Sequence, residues 1–455
     1  MKIYRIKILF LFLVSISIFP QSRNSRITIV GNTLEGSREN GKNIRKVIGN
    51  VVMTQDNVKI TCDIAIQDVD RNEAELIGNV VATQDTIIIK TQRAYYYGEK
   101  KYALSKTPVS LFDGHVTLTA KSGYYYFDED KAVFSENVKL VDTANTMISK
   151  KLTYFNNEDK AIATGNVSIT DGKVIILADS LNHSRNEKYT NAFFNIKIID
   201  SQNNSIITGT ELLNDGIKNH TVITGKPIFT QIDTSKNGEI DTLFIFSKVM
   251  ESFDDSTKKF LAKDSVKIIR QNFYSISNYA VLFRNEDKIF TYKREDDKTP
   301  PVMWYEESQL VGDSIYVYLK NNTIDLIKIN RNAFILSQQK DYPNRYNQIS
   351  GDSIYMYFYN DELKRTEVYS NVLSIYYLFE DEETNGLLKS SSEKAKLFFA
   401  DKKITDVKLF GSILSEYHPE NLIKGKELEF TLPNFILYSN KPNKNKLTFN
   451  IPNFR

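Results

Sequence analysis

The chain has 455 residues, 41% hydrophobic and 25% charged, and its 59 lysines and arginines nearly balance 56 aspartates and glutamates. A net charge of +3 over that length leaves no concentrated basic face and excludes nucleic acid as a partner. A single cysteine, Cys62, excludes an intrachain disulfide framework, and 26 tyrosines with 27 phenylalanines against one tryptophan favour a pleated, half-buried surface.

The first predicted element is an export signal. Lys2, Arg5 and Lys7 precede an apolar run from Ile8 to Phe19, and Pro20-Gln21-Ser22 follows. A basic start, a short apolar core and a small residue make a secretory signal peptide, expected over 1–22. A membrane anchor is the competing reading, but twelve apolar residues give about 18 Å of helix against a hydrocarbon core of about 30 Å. A lipoprotein signal needs a cysteine directly after the apolar run, and Cys62 lies some forty residues on. The mature chain is expected in the periplasm.

A strand repeat follows. Val51, Val80, Val109, Val138, Val167 and Ile196 succeed one another at a constant step of 29 residues, three of them introduced by Gly-Asn (Gly49-Asn50, Gly78-Asn79, Gly165-Asn166). Two residues further on stand Met53, Ala82, Leu111, Leu140, Ile169 and Ile198, separated from the first set by mostly polar residues such as Ser110 and Lys139. This alternation predicts a strand with one dry face, and the twelve residues are the candidate groove-lining set. An aspartate then marks a turn in each repeat (Asp56, Asp85, Asp113, Asp142, Asp171, Asp200), where its carboxylate suits the amide two residues later. A returning strand (Val58/Ile60, Ile87/Ile89, Val116/Leu118, Val174/Ile176) and an often aromatic third segment (Ala94–Tyr97, Gly123–Tyr126) complete the repeat.

Beyond 200 the step loosens. Gly225-Lys226, Asp264-Ser265, Asn332-Ala333, Asn371-Val372 and Gly411-Ser412 read as later openings, and Gly312–Tyr318 and Gly351–Tyr357 are near-copies 39 residues apart. About twelve repeats are expected. The turn-rich stretch 233–241 is the expected seam between a regular half (23–232) and an irregular one (233–432), with 433–455 as a tail leaving the repeat.

No catalytic constellation emerges. His115, His183, His220 and His418 stand in no metal-ligand spacing. Cys62 occupies the dry register and reads as a small buried hydrophobe; the aspartates sit at turns. No enzyme, cofactor or metal is expected. An exported parallel β-helix acting on polysaccharide is the enzymatic alternative, but its carboxylates would have to line a groove, and the repeated positions here are apolar, small or aromatic. The dry faces themselves fit two arrangements, a closed sandwich core or two splayed walls enclosing an apolar groove, at roughly 25 cal/mol per Å² of acyl surface buried.

The segments Lys160–Ile169 and Glu73–Val80, each beside a strand of the Ala178-Asp-Ser-Leu181 type, resemble the organic-solvent-tolerance (OstA/LptA-like) family, most clearly over 45–200. That resemblance implies an all-β, V-shaped repetitive β-jellyroll in the periplasm. It implies a role in lipopolysaccharide transport, with acyl chains carried along the apolar interior and no catalytic residues. It also implies partners: lipopolysaccharide or a related glycolipid, other jellyroll components or further copies joined end to end by strand pairing, and through them both membranes. The chain is about twice the size of the family's single-domain bridge protein, and its second half departs from the regular step. A periplasmic scaffold of outer-membrane biogenesis that holds no lipid is the alternative.

Overall fold

The computed structural model describes residues 26–442 apart from 235–239, 271–272, 321–322, 340, 361 and 381–382. The expected signal peptide and part of the seam near 233 therefore lie outside the described residues. The described residues fall into two compact bodies, one within 26–114 with 124–128 and the other within 115–123 with 129–442. Among the described residues, α-helix is confined to the single turn Glu420–Ile423, and strands account for nearly all other regular structure. The strands pair antiparallel, as the all-β jellyroll reading requires.

The Gly-Asn signature proves to be the corner of alternate long strands. Gly49-Asn50, Gly78-Asn79, Glu136-Asn137, Gly165-Asn166 and Phe194-Asn195 each place two successive residues at positive φ. The later openings do the same at Gly225-Lys226, Asp264-Ser265, Arg331-Asn332, Ser370-Asn371 and Gly411-Ser412. L-residues resist this conformation, and glycine and asparagine resist it least. Each pair is a β-bulge: Ile48 faces Ile64 and Val51 faces Cys62, so Gly49 and Asn50 oppose the single residue Asp63. Register slips in the same way at Ile77/Val80, Ser135/Val138, Thr164/Val167 and Phe193/Ile196.

Across the corner, asparagine amides are held by carboxylates of the neighbouring strand. Asn79 Nδ2 donates to Asp63 (3.0 Å), Asn195 to Asp179 (2.7 Å) and Asn371 to Asp352 (3.1 Å). This gives the Ala-Asp-Ser and Gly-Asp-Ser strands of the sequence a physical role. A side chain at Gly78 would put its Cβ 2.2 Å from Asp63 Oδ2, which explains the glycine there.

Each strand so bent supplies two walls. One carries Val51–Gln55 and its equivalents and is called here the valine wall. The other buries Ala65, Ala74 and Ala94 in the first body and Ala132, Ala161, Ala163 and Ala192 in the second, and is the alanine wall. Apolar residues of both face each other; in the second body Phe229 of the valine wall meets Phe260 of the alanine wall at 5.0 Å between ring centres. After the strand Leu414–His418 the chain leaves the repeat and residues 419–442 run over the outward surface of the valine wall.

Candidate functional site

The interior is graded from corner to rim. At the corner the six opening residues, Val51, Val80, Val109, Val138, Val167 and Ile196, are all buried. They pair across the ladder with small residues: Val51 with Cys62, Val138 with Ser149, Val167 with Ala178, Ile196 with Gly209. The bend crowds this floor, so one large side chain per pair fills it. Burial pushes the Cys62 thiol up to about 11, leaving it protonated and inert.

The next row lies two residues from the corner, and cross-strand register makes it continuous within each body. In the first body Met53, Ile60, Ala82, Ile89 and Leu111 stand side by side on successive strands. In the second, Leu140, Met147, Ile169, Ile176, Ile198 and Ile207 continue in the same manner. Phe229, Ile245 and Ile268 follow, then Ser275, Met303, Leu310, Ile335 and Ile349. The row ends in serines: Ile349 pairs with Ser374, Ser374 with Ser390 and Ser390 with Ser415.

Of the candidates in this row, Met53, Ala82, Leu111 and Leu140 are buried, whereas Ile169 and Ile198, with Ile176 between them, are only half-buried. Sequence reading found one member per repeat. Ile60, Ile89, Met147, Ile176 and Ile207 belong to the returning strands, whose own alternation was the signal for them.

The rim is polar. In the first body Gln55 at the top of the valine wall reaches the alanine wall: Tyr96 Oη donates to Gln55 Oε1 (2.7 Å) and Gln55 Nε2 donates to the Gly98 carbonyl (3.2 Å). One repeat on, Gln84 Nε2 donates to the Phe127 carbonyl (3.3 Å). Lys101 lies 2.7 Å from Asp56 and 3.4 Å from Asp128, and its bond to Asp56 raises the ammonium's pKa. Three of the repeating aspartates act in the expected way, Asp142, Asp171 and Asp200 accepting the amides of Ala144, Lys173 and Gln202. Asp56 does more, pairing across the mouth. In the second body the rim encloses a void of about 20 Å³ lined by Leu140, Asp142, Met147, His183 and Arg185, enough for one water and far too little for an acyl chain. Burial lowers the pKa of His183 there, and its Nδ1 lies 2.9 Å from Thr190 Oγ1.

Among the described residues no three histidine, cysteine or acidic side chains come together to hold a metal. The interior is apolar along the inward row, with a polar rim that closes on itself.

A family model described as OstA-like protein matches residues 26–179. No curated protein sequence matches the chain. One similar solved structure is that of LptH, described as the LptA-homologous periplasmic component of the lipopolysaccharide transport device of Pseudomonas aeruginosa. The similarity is 15% identity over 33% of this chain and 98% of that one, with a TM-score of 0.17. Corner, floor and inward row all recur within the matched residues, and 26–179 is an OstA-like region that relates this chain to that family.

Proposed function

We propose that the chain is a periplasmic component of lipopolysaccharide transport that holds acyl chains against the inward row and passes them along it. The observation that carries this is the row itself: within each body it crosses strand after strand without a charge, and in the second it reaches Ile349 with Ser275 as its one polar member. The OstA-like match supports the same class of role. The walls touch, so cargo has to part them; the half-buried Ile169, Ile176 and Ile198 mark where the row is least covered. The first and last strands carry free edges through which related jellyrolls pair. Thr33–Glu39 at one end is exposed throughout, and Leu414–His418 at the other nearly so.

The test is a photo-crosslinking amino acid at Leu111 and Leu140, with Ser110 and Lys139 on the opposite face as controls. The expected result is capture of lipopolysaccharide at the two leucines in living cells and none at the controls. Equal labelling of both faces, or none with folded, abundant protein, would replace the carrier with the lipid-free scaffold.

A further inference from the structure

The inward row of the second body changes character before it ends. Met303, Leu310, Ile335 and Ile349 carry it from strand to strand as large apolar side chains. The next three strands carry serine instead, with Ser374, Ser390 and Ser415 in register. Ser275, earlier in the row, is a serine of another kind. It is buried, and its hydroxyl donates to the Val302 carbonyl (3.2 Å), so main chain takes its proton and the row stays dry there. Ser390 and Ser415 turn to each other, with 2.7 Å between their hydroxyls. A hydroxyl pair spends one of its two protons on itself, and an acyl chain laid over it offers nothing to the other.

Over isoleucine, an acyl chain removes apolar surface from water on both sides of the contact. Over serine it strips water from a hydroxyl and returns no hydrogen bond. Each strand crossed from Met303 to Ile349 thus favours a longer contact, and each strand beyond opposes one. The wall also has little freedom to turn the serines aside, because residues 419–442 brace its outward surface. Ile423 and Leu432 pack there with Leu336, Ile375 and Leu387, and Ile375 is the residue directly after Ser374. Gln348 donates to the Phe430 carbonyl (3.1 Å) and accepts from the Leu432 amide (2.9 Å). Gln309 does the same with Ile436 (2.8 Å) and Tyr438 (2.9 Å), and Arg345 pairs with Glu420 and Glu427. A guest therefore meets the serines where register puts them.

We propose that the acyl path of the second body stops at Ile349, and that Ser374, with Ser390 and Ser415 behind it, sets this limit. The limit presupposes the carrier reading above and gives its path an end within the fold. The last three strands of the row hold no acyl chain, and an acyl chain has to quit the row before crossing them.

The test places a photo-crosslinking amino acid at Ile349 or at Ser390 in the full chain, with Leu140 as the reference, and reads capture of lipopolysaccharide in living cells. Alkaline hydrolysis of the product frees ester-linked acyl chains from the sugar, so a cross-linked peptide that keeps a fatty-acyl mass reports acyl contact itself. The expected result is acyl capture at Leu140 and Ile349 and none at Ser390, which an acyl chain reaches along the row only across the intact Ser374. Ser374→Ala removes that hydroxyl and puts in its place a residue type the inward row of the first body already holds at Ala82. Acyl capture at position 390 should then appear. A melting curve for each protein excludes misfolding as the cause of a negative. Acyl capture at Ser390 with Ser374 intact, or none there in Ser374→Ala, overturns the limit while capture at Leu140 upholds the carrier. Capture at Leu140 without capture at Ile349 does the same. No capture at any position removes the carrier and the limit together.

Discussion

Gln55 offers a quantitative test of whether the rim closes in solution. Its amide ties Tyr96, 1% exposed, and Gly98 of the alanine wall to the valine wall. In Gln55→Ala both bonds go, at roughly 0.5–1.5 kcal/mol each, and the Tyr96 hydroxyl is left buried without its acceptor, at about 1–3 kcal/mol more. The single change should cost about 2–6 kcal/mol. Tyr96→Phe removes one bond and takes the phenol donor from Gln55 Oε1, for about 1.5–4.5 kcal/mol. The double variant strands neither member of the pair, so its cost should fall below that of Gln55→Ala alone, an interaction energy of at least about 2 kcal/mol. Hydrogen exchange of the amides in Lys42–Gln55 and Ile87–Tyr97 reads the local opening free energy of the first body directly. The same variants should load lipid faster if cargo enters by parting this rim. Costs that add to within about 0.5 kcal/mol would show that the two walls do not meet through Gln55 and that the rim stands open.

Two further outcomes follow from corner and rim. Gly225→Ala should lower the melting temperature markedly: the site is at φ +81° and the new Cβ would fall 1.3 Å from Thr210 Oγ1, so a left-handed penalty of about 1–2 kcal/mol comes before the clash. Gly36→Ala, with nothing within 4 Å of its Cβ, should change stability by no more than about 0.5 kcal/mol. His183 faces Asp142, Asp159, Tyr154 and Arg185 in its void, and burial holds its folded pKa below the 6.5 of the free side chain. Above that pH both states are neutral. As pH falls through it the unfolded chain takes up the proton first, so stability is lost on acidification. Melting of His183→Gln at pH 7.5 and 5.5 should show a smaller loss than wild type, and an equal or larger loss would place the imidazole outside the void.

Much of this architecture could be read from residue spacing because the determinants are local. The step from Val51 to Ile196 marks successive corners, and the two-residue offset to Met53 and Leu111 gives the inward row, since side chains alternate along any strand. What stayed hidden depends on pairing between distant residues. That Asp63 would hold Asn79, or Lys101 would bridge Asp56 and Asp128, follows only once register is known. The glutamines at 309 and 348 grip backbone more than eighty residues away through atoms common to every residue, which no sequence pattern encodes. The closeness of the two walls also escaped the sequence, because a sealed core and an open groove ask for the same alternation.

The left-handed pair at each corner also acts as a datum from which wall height is measured. Near the start the strands are 11–14 residues long, as in Glu73–Gln84, while Thr323–Gln339 to Glu383–Ala400 run to 17–19, and corners 331 and 370 are 39 residues apart instead of 29. The additional residues sit at the free tips, about three per wall, or about 10 Å of added height at 3.3 Å per residue. Growth there leaves every inward position at its old count from the corner, whereas one residue gained beside the corner turns the rest of that strand inside out. The cross-section of the interior can thus deepen along the chain by lengthening the hairpin tips, with the floor residues unchanged. Loops or reporter domains inserted at the tips should be accepted for the same reason.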